Sequence, residues 1–128
     1  MRRILPKVLI VMTVAVAFPA QAQDETVSAS LDGRFAEFVD ENTVRVSITV
    51  TCQTGASILE SFLYVVQRES TSQFAFFGPT CDGTPHTHVV TVRPEEGFTF
   101  RRGPARASGY VLLTSGDATS PSRKIIIR

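Results

Sequence analysis

The sequence predicts an all-β fold, an antiparallel β-sandwich of about seven to eight strands with one disulfide. Three observations predict it. Apolar and polar residues alternate with a period of two along most of the chain. Turn-forming Gly, Pro, Asn and Asp recur at roughly 8–12-residue intervals between the alternating runs. Two cysteines, Cys52 and Cys81, follow a segment with the features of an export signal, which places them where a disulfide forms and persists.

Residues 43 to 52, TVRVSITVTC, are the clearest strand. Val44, Val46, Ile48, Val50 and Cys52 alternate with Arg45, Ser47, Thr49 and Thr51, the pattern of a strand buried on one face. TVSASL (26–31) alternates in the same way and stops at Asp32-Gly33, a hairpin-type dipeptide. RFAEFV (34–39) ends at Asp40-Glu41-Asn42. SILESFLYVVQR (57–68) is long enough for a helix, but Phe62, Tyr64, Val65 and Val66 favour a strand, apolar on both faces and expected to be buried on both. FAFF (74–77), HTHVVTVR (86–93), RASGYVLLT (106–114) and RKIIIR (123–128) complete the set, with Gly103-Pro104 and GDATSPS expected between strands.

Residues 1 to 22 are expected to lie outside the fold. Arg2, Arg3 and Lys7 form a positive start, VLIVMTVAVAF is an apolar run of 11 residues, and Ala20-Gln21-Ala22 is a small-x-small cleavage pattern. Eleven apolar residues fall short of the ~20 that a membrane-spanning helix needs. The expectation is an export signal cleaved near Ala22, with a single sandwich domain over 23–128 released outside the cytoplasm, extracellular or periplasmic, and no membrane span in the mature chain. Retention of the segment as an N-terminal anchor is the other use it could serve.

The whole chain carries 13 Lys and Arg against 12 Asp and Glu; residues 23–128 keep ten of the cations and all 12 acids, a net charge of −2. That balance argues against a nucleic-acid partner. A chain of 106 residues makes one core. The Cys52–Cys81 bridge would close a loop of about 30 residues, worth roughly 3–4 kcal/mol by the chain-entropy argument.

The order TVRVSITVTCQTG, then CDGTPHTHVVTV, then GFTFRRGPARASGYV resembles small secreted immunoglobulin-like domains of unknown function from bacteria, actinobacteria in particular. An alternating strand ends in a cysteine and a glycine, a later strand follows a second Cys-Asp-Gly, and a stretch spelled here with Phe100, Gly103 and Ala105 leads into the penultimate strand. The resemblance covers most of residues 26–114. It implies an immunoglobulin-like sandwich and a secreted life, and no catalytic residues. The chain has no tryptophan, so the core Trp of antibody-type domains is missing, and its cysteines are only 29 apart. Cys52 is therefore expected to pin the loop around Cys81. A looser likeness, in size and sandwich fold, is to actinobacterial chromophore-carrying apoproteins.

The candidate chemistry is sparse. His86 and His88 stand two apart on a strand, hence on one face, and could make half of a metal site, with Asp82 or Glu95 nearest as a third ligand. A bridged Cys81 could not join them. Asp82-Gly83 reads as a turn, with Pro85 stiffening the approach to the strand. No Gly-x-Ser-x-Gly elbow or triad motif is present, and Glu95-Glu96 reads as a turn before Gly97. Arg101, Arg102 and Arg106 in FRRGPAR form a possible patch for an anion or an acidic partner. Phe74 and Phe76 share a face and Phe77 takes the other; most of the phenylalanines over 74–100 are expected in the core, and Phe77 and Phe98 would make an apolar patch if they lay outside. The expected function is binding without catalysis or cofactor, the partner being an extracellular or envelope protein or glycan. The alternative is a small-molecule carrier with an apolar pocket between its sheets.

Overall fold

Period-two alternation sets the strands, and pairing between residues distant in sequence sets their order. The computed structural model describes residues 27–128; the predicted export signal lies outside the described residues. Among these there are ten strands and no helix. In chain order they are β1 (Val27–Leu31), β2 (Phe35–Asp40), β3 (Thr43–Cys52), β4 (Ile58–Gln67), β5 (Ser70–Thr71), β6 (Ala75–Phe76), β7 (His86–Val92), β8 (Gly103–Leu113), β9 (Ala118–Thr119) and β10 (Ser122–Ile127). Three are two-residue strands, which leaves seven of five residues or more, in line with the all-β expectation. No helix of the described residues is long and apolar enough to cross a membrane.

The first layer is built on β3. Its alternation buries Val44, Val46, Ile48, Val50 and Cys52. β7 pairs antiparallel along one edge, from Val44↔Val92 to Val50↔His86. The other edge is shared end to end: β1 pairs with the second half of β3 and β2 with the first. Asp32-Gly33 is thus not the tip of a hairpin. Asp32 still donates its N–H to Ser47 O at 3.0 Å, and the chain bulges outward before pairing β3 again.

That excursion joins the layers. Phe35 and Ala36 pair in parallel with Ile126 and Ile127, the exception to an otherwise antiparallel fold. The second layer runs from β10 through β8 to β4, with β9 beside β8 and the short β5 and β6 along the outer edge of β4. The interior fills with β3 and β7 side chains against Leu63, Val65, Ala107, Val111, Ile125 and Ile127. Fully burying an aliphatic side chain contributes about 1.5–3 kcal/mol, so this core drives the two layers together. They meet closely where Gly109 of β8 faces Ile48: a Cβ at Gly109 would stand 2.8 Å from Ile48 Cδ1.

Three expectations need correction. GDATSPS is not a plain connection: β9 lies within it and β10 begins at its last residue, Ser122. β8 begins at Gly103, not near 106, so Gly103-Pro104 lies within a strand. Pro104 is tolerated because it stands near the strand start, where a missing N–H costs the ladder little. β4 is not buried on both faces. Ser61, Leu63, Val65 and Gln67 are buried, whereas Phe62, Tyr64 and Val66 are half-exposed on the outside.

Candidate interaction face

The outward side chains of the second layer form the most distinctive surface of the molecule. Cross-strand register places Phe62 opposite both Phe76 of β6 and Tyr110 of β8, and Tyr64 opposite Ser108. Phe74, two residues before Phe76, shares its side. Phe62 stacks on Phe74 with centroids 4.7 Å apart and meets Tyr110 at 5.5 Å; Phe76 approaches it edge-on at 6.1 Å, and Tyr64 lies 5.5 Å from Phe74. Each such pair adds about 0.5–1.5 kcal/mol beyond burial. The cluster nevertheless remains open to solvent, with Phe74 53% and Phe76 68% exposed.

The inner face of β4 mixes polar and apolar side chains. Buried Ser61 donates its hydroxyl to Phe77 O, holding the 74–77 segment. Buried Gln67 donates to Arg101 O at 2.8 Å and Pro104 O at 3.3 Å, and accepts from Arg101 N at 2.9 Å. Ser61 and Gln67, so partnered, share the interior row of β4 with Leu63 and Val65, and the row of Phe62, Tyr64 and Val66 faces out. The expectation that Phe74 and Phe76 share a face holds, but that face is the exterior. Phe77 is half-buried against the core, Phe100 is buried, and Phe98 is 52% exposed.

The same sheet face continues into an open groove of about 970 Å³. Arg34, Arg68, Arg106, Arg123 and Lys124 line it, over Val66, Pro104 and Ile126. Of the three arginines singled out in FRRGPAR, Arg106 belongs to this groove. Arg102 stands apart with its guanidinium 4.6 Å from the centroid of the Phe38 ring. Arg101 is exposed and anchored through its main chain by Gln67. The sequence trio is therefore divided, and Arg34, Arg68, Arg123 and Lys124, scattered over the chain, replace two of its members.

CDGTPHTH folds as a stapled turn. Cys52 and Cys81 are disulfide-bonded with Cα atoms 4.6 Å apart, and Gly83 N–H donates to Cys52 O at 2.9 Å. Asp82 Oδ1 accepts from Thr84 N–H at 3.0 Å and the Thr84 hydroxyl at 2.7 Å, and His86 Nε2 lies 2.8 Å from Oδ2. The Thr84 hydroxyl and main-chain N–H, then His86, hold the Asp82 carboxyl down at about 2 against a slight opposing effect of desolvation. Thr84, His86 and Asp82 resemble a triad only in composition. In a triad the carboxylate and the nucleophile use different imidazole nitrogens; here Asp82 and Thr84 both address Nε2. His86 and His88 do share a face, but they have different neighbours. The His88 ring packs against Phe77 at 5.5 Å, and its Nε2 is buried without a hydrogen-bond partner. Among the described residues no group of three or more His, Cys, Asp or Glu is placed to hold a metal ion.

No family model matches the chain, and no curated protein matches it. A solved structure similar to it is that of a sporulation control protein from Bacillus subtilis, with a TM-score of 0.45 and 13% identity over 80% of this chain. The match spans 49% of that protein, about half its length. A likeness of that size carries no functional conclusion.

Proposed function

We propose that the protein is a secreted, non-catalytic binding module that holds an extracellular or envelope partner on the outer face of its second layer. The observation that carries this reading is the ring cluster of Phe62, Tyr64, Phe74, Phe76 and Tyr110 on a sheet face left open among the described residues. A solvent-facing aromatic group of this size is costly to keep in water and is characteristic of a recognition surface. Aromatic anchors are also the side chains that most often dominate binding energy. The disulfide fits an oxidising compartment. The alternative, a carrier with a pocket between its sheets, finds no support in the interior, where Ile48 and Gly109 meet.

The test compares wild-type protein with Phe74→Ser/Phe76→Ser in parallel affinity capture from native culture medium and envelope extract. Both rings are exposed, so the variant is expected to fold. A partner kept by wild type and lost by the variant supports the reading. Equal retention by both proteins rejects the ring face as the binding surface.

A further inference from the structure

The groove beside the rings carries two local conflicts that folding alone does not explain. Arg106 and Lys124 are direct cross-strand partners on adjacent strands, both exposed on the outer face. Like charges in that position repel and weaken a sheet. Arg68, in the two-residue turn between β4 and β5, has a φ of 62°, and it is the one non-glycine residue at positive φ among the described residues. Glycine or asparagine suits such a position better. Both conflicts lie on the wall of one groove. Where a fold breaks local rules without compensation, a functional constraint is the usual cause.

Charge segregation points the same way. Residues 27–128 contain ten cations and ten acids. Five of those cations line the groove and none of the acids does. The ion pairs among the described residues, Arg45–Glu37 and His86–Asp82, lie outside it. The local partners found for the five cations are neutral: Arg106 reaches Ser122 Oγ at 3.2 Å and Arg123 reaches Leu31 O at 3.3 Å. A cluster of uncompensated guanidinium groups over an apolar floor suits an anion that presents planar acceptors and an apolar body.

We propose that this groove binds an acidic polysaccharide, a linear glycan bearing carboxylate or sulfate groups. The topology favours a glycan over a peptide. The groove floor lies on the face of β4, β8 and β10; β8 is paired on both edges, and on β10 strand addition would be confined to Ser122–Ile125, beyond its two-residue pairing with β2. A peptide laid over Val66, Pro104 and Ile126 would find no main-chain partners on that floor. A glycan has no amide backbone to satisfy. It brings C–H faces to the apolar floor and to the Tyr64 and Tyr110 rings that continue the same sheet face, while its acidic groups meet the cations.

The inference rests on the binding-module reading, and the two fail separately. Purified protein is run in affinity electrophoresis through gels containing polygalacturonate or heparin, with dextran as the neutral polymer. Polyglutamate gels and flotation with phosphatidylglycerol vesicles test the acidic-peptide and lipid occupants. Retardation by an acidic polysaccharide and not by dextran is expected, weakening as salt rises. Arg106→Ala/Lys124→Thr should weaken it by about tenfold or more. Arg68→Gly should weaken it while leaving the unfolding midpoint of the free protein equal or higher, a combination that a purely structural role for Arg68 would not give. Arg101→Ala/Arg102→Ala should leave it unchanged. The proposal is overturned by absence of retardation, by retardation that survives in Arg106→Ala/Lys124→Thr, by dependence on Arg101 and Arg102 instead, or by tighter binding to polyglutamate or vesicles. Loss of binding in Phe74→Ser/Phe76→Ser with the groove intact would assign the glycan to the rings and overturn the groove while preserving the module.

Discussion

Asp82 accepts two hydrogen bonds from Thr84 and one from His86, and these hold its carboxyl below the ordinary 3.8, at about 2. Its folded-state pKa is thus depressed. The ionised form contributes stability above about 3.8, and that contribution is lost as pH falls through about 2. Urea midpoints of wild type and Asp82→Ala should therefore differ near neutral pH and converge as pH is lowered across that window. A difference that persists at the acid end would mean that the turn is held by something other than the carboxylate. His88 presents the opposite situation. Its buried Nε2 has no partner, and an unsatisfied buried polar atom costs about 1–3 kcal/mol. His88→Leu keeps an apolar contact for Phe77 and should raise stability by about 1 kcal/mol in chemical denaturation. In CDGTPHTH the sequence made the disulfide, the turn and the shared histidine face readable, because each follows from local chemistry. It could not show that Asp82 and Thr84 would both turn to the same nitrogen of His86, which depends on the course of the chain after Gly83.

Single strands were legible wherever hydrophobicity and burial agreed. β3 is the clearest case: the residues that alternate as apolar in the sequence are those buried in the fold. β4 shows the limit. Its aromatic row, Phe62 and Tyr64 with Val66, faces outward, while Leu63 and Val65 fill the core and Ser61 and Gln67 beside them find partners in Phe77, Arg101 and Pro104. Hydrophobic patterning cannot anticipate that arrangement, since the partners lie on other segments. FAFF fails for the same reason: alternation tells which rings travel together, while the pairing of Phe76 with Phe62 decides that they travel outward. The groove was invisible because its cations come from four separate regions of the chain. β8 carries a prediction of its own. Gly109 is inward-facing, and a methyl group there would press on Ile48 Cδ1. Gly109→Ala should destabilise by about 1–3 kcal/mol, the usual range for an overpacked core. Ile48→Val removes the obstructing carbon, so Gly109→Ala/Ile48→Val should lose less than the sum of the two single changes. Additivity in that double-mutant cycle would show that the layers are not in contact at this point.

For the whole molecule, fold class followed from pattern and turns, whereas closure depended on pairings far apart in sequence. The parallel contact of Phe35 and Ala36 with Ile126 and Ile127 ties the beginning of the described chain to its end, and no local signal marks it. The Cys52–Cys81 bridge supplies the other long-range tie, and this one could be read in advance. It links the end of β3 to the connection between β6 and β7. The β3–β7 ladder already holds Val50 opposite His86, so the bridge acts mainly by limiting the unfolded chain and fixing the turn at Asp82-Gly83. Closing a loop between cysteines 29 apart contributes roughly 3–4 kcal/mol by chain entropy. Cys52→Ala/Cys81→Ala should lower the unfolding free energy by about that amount in urea. Hydrogen exchange should then show faster opening around residues 78–85 first, with the amides between β3 and β7 still protected, because β3 is paired along both edges. The ring face of the second layer should be unaffected, and near-ultraviolet circular dichroism of its tyrosines should match the wild type. Unchanged stability after loss of the bridge would show that the unfolded chain is already restricted by residual structure. Loss of protection across β3 and β7 together would mean instead that the staple, and not the ladder, holds the first layer in register.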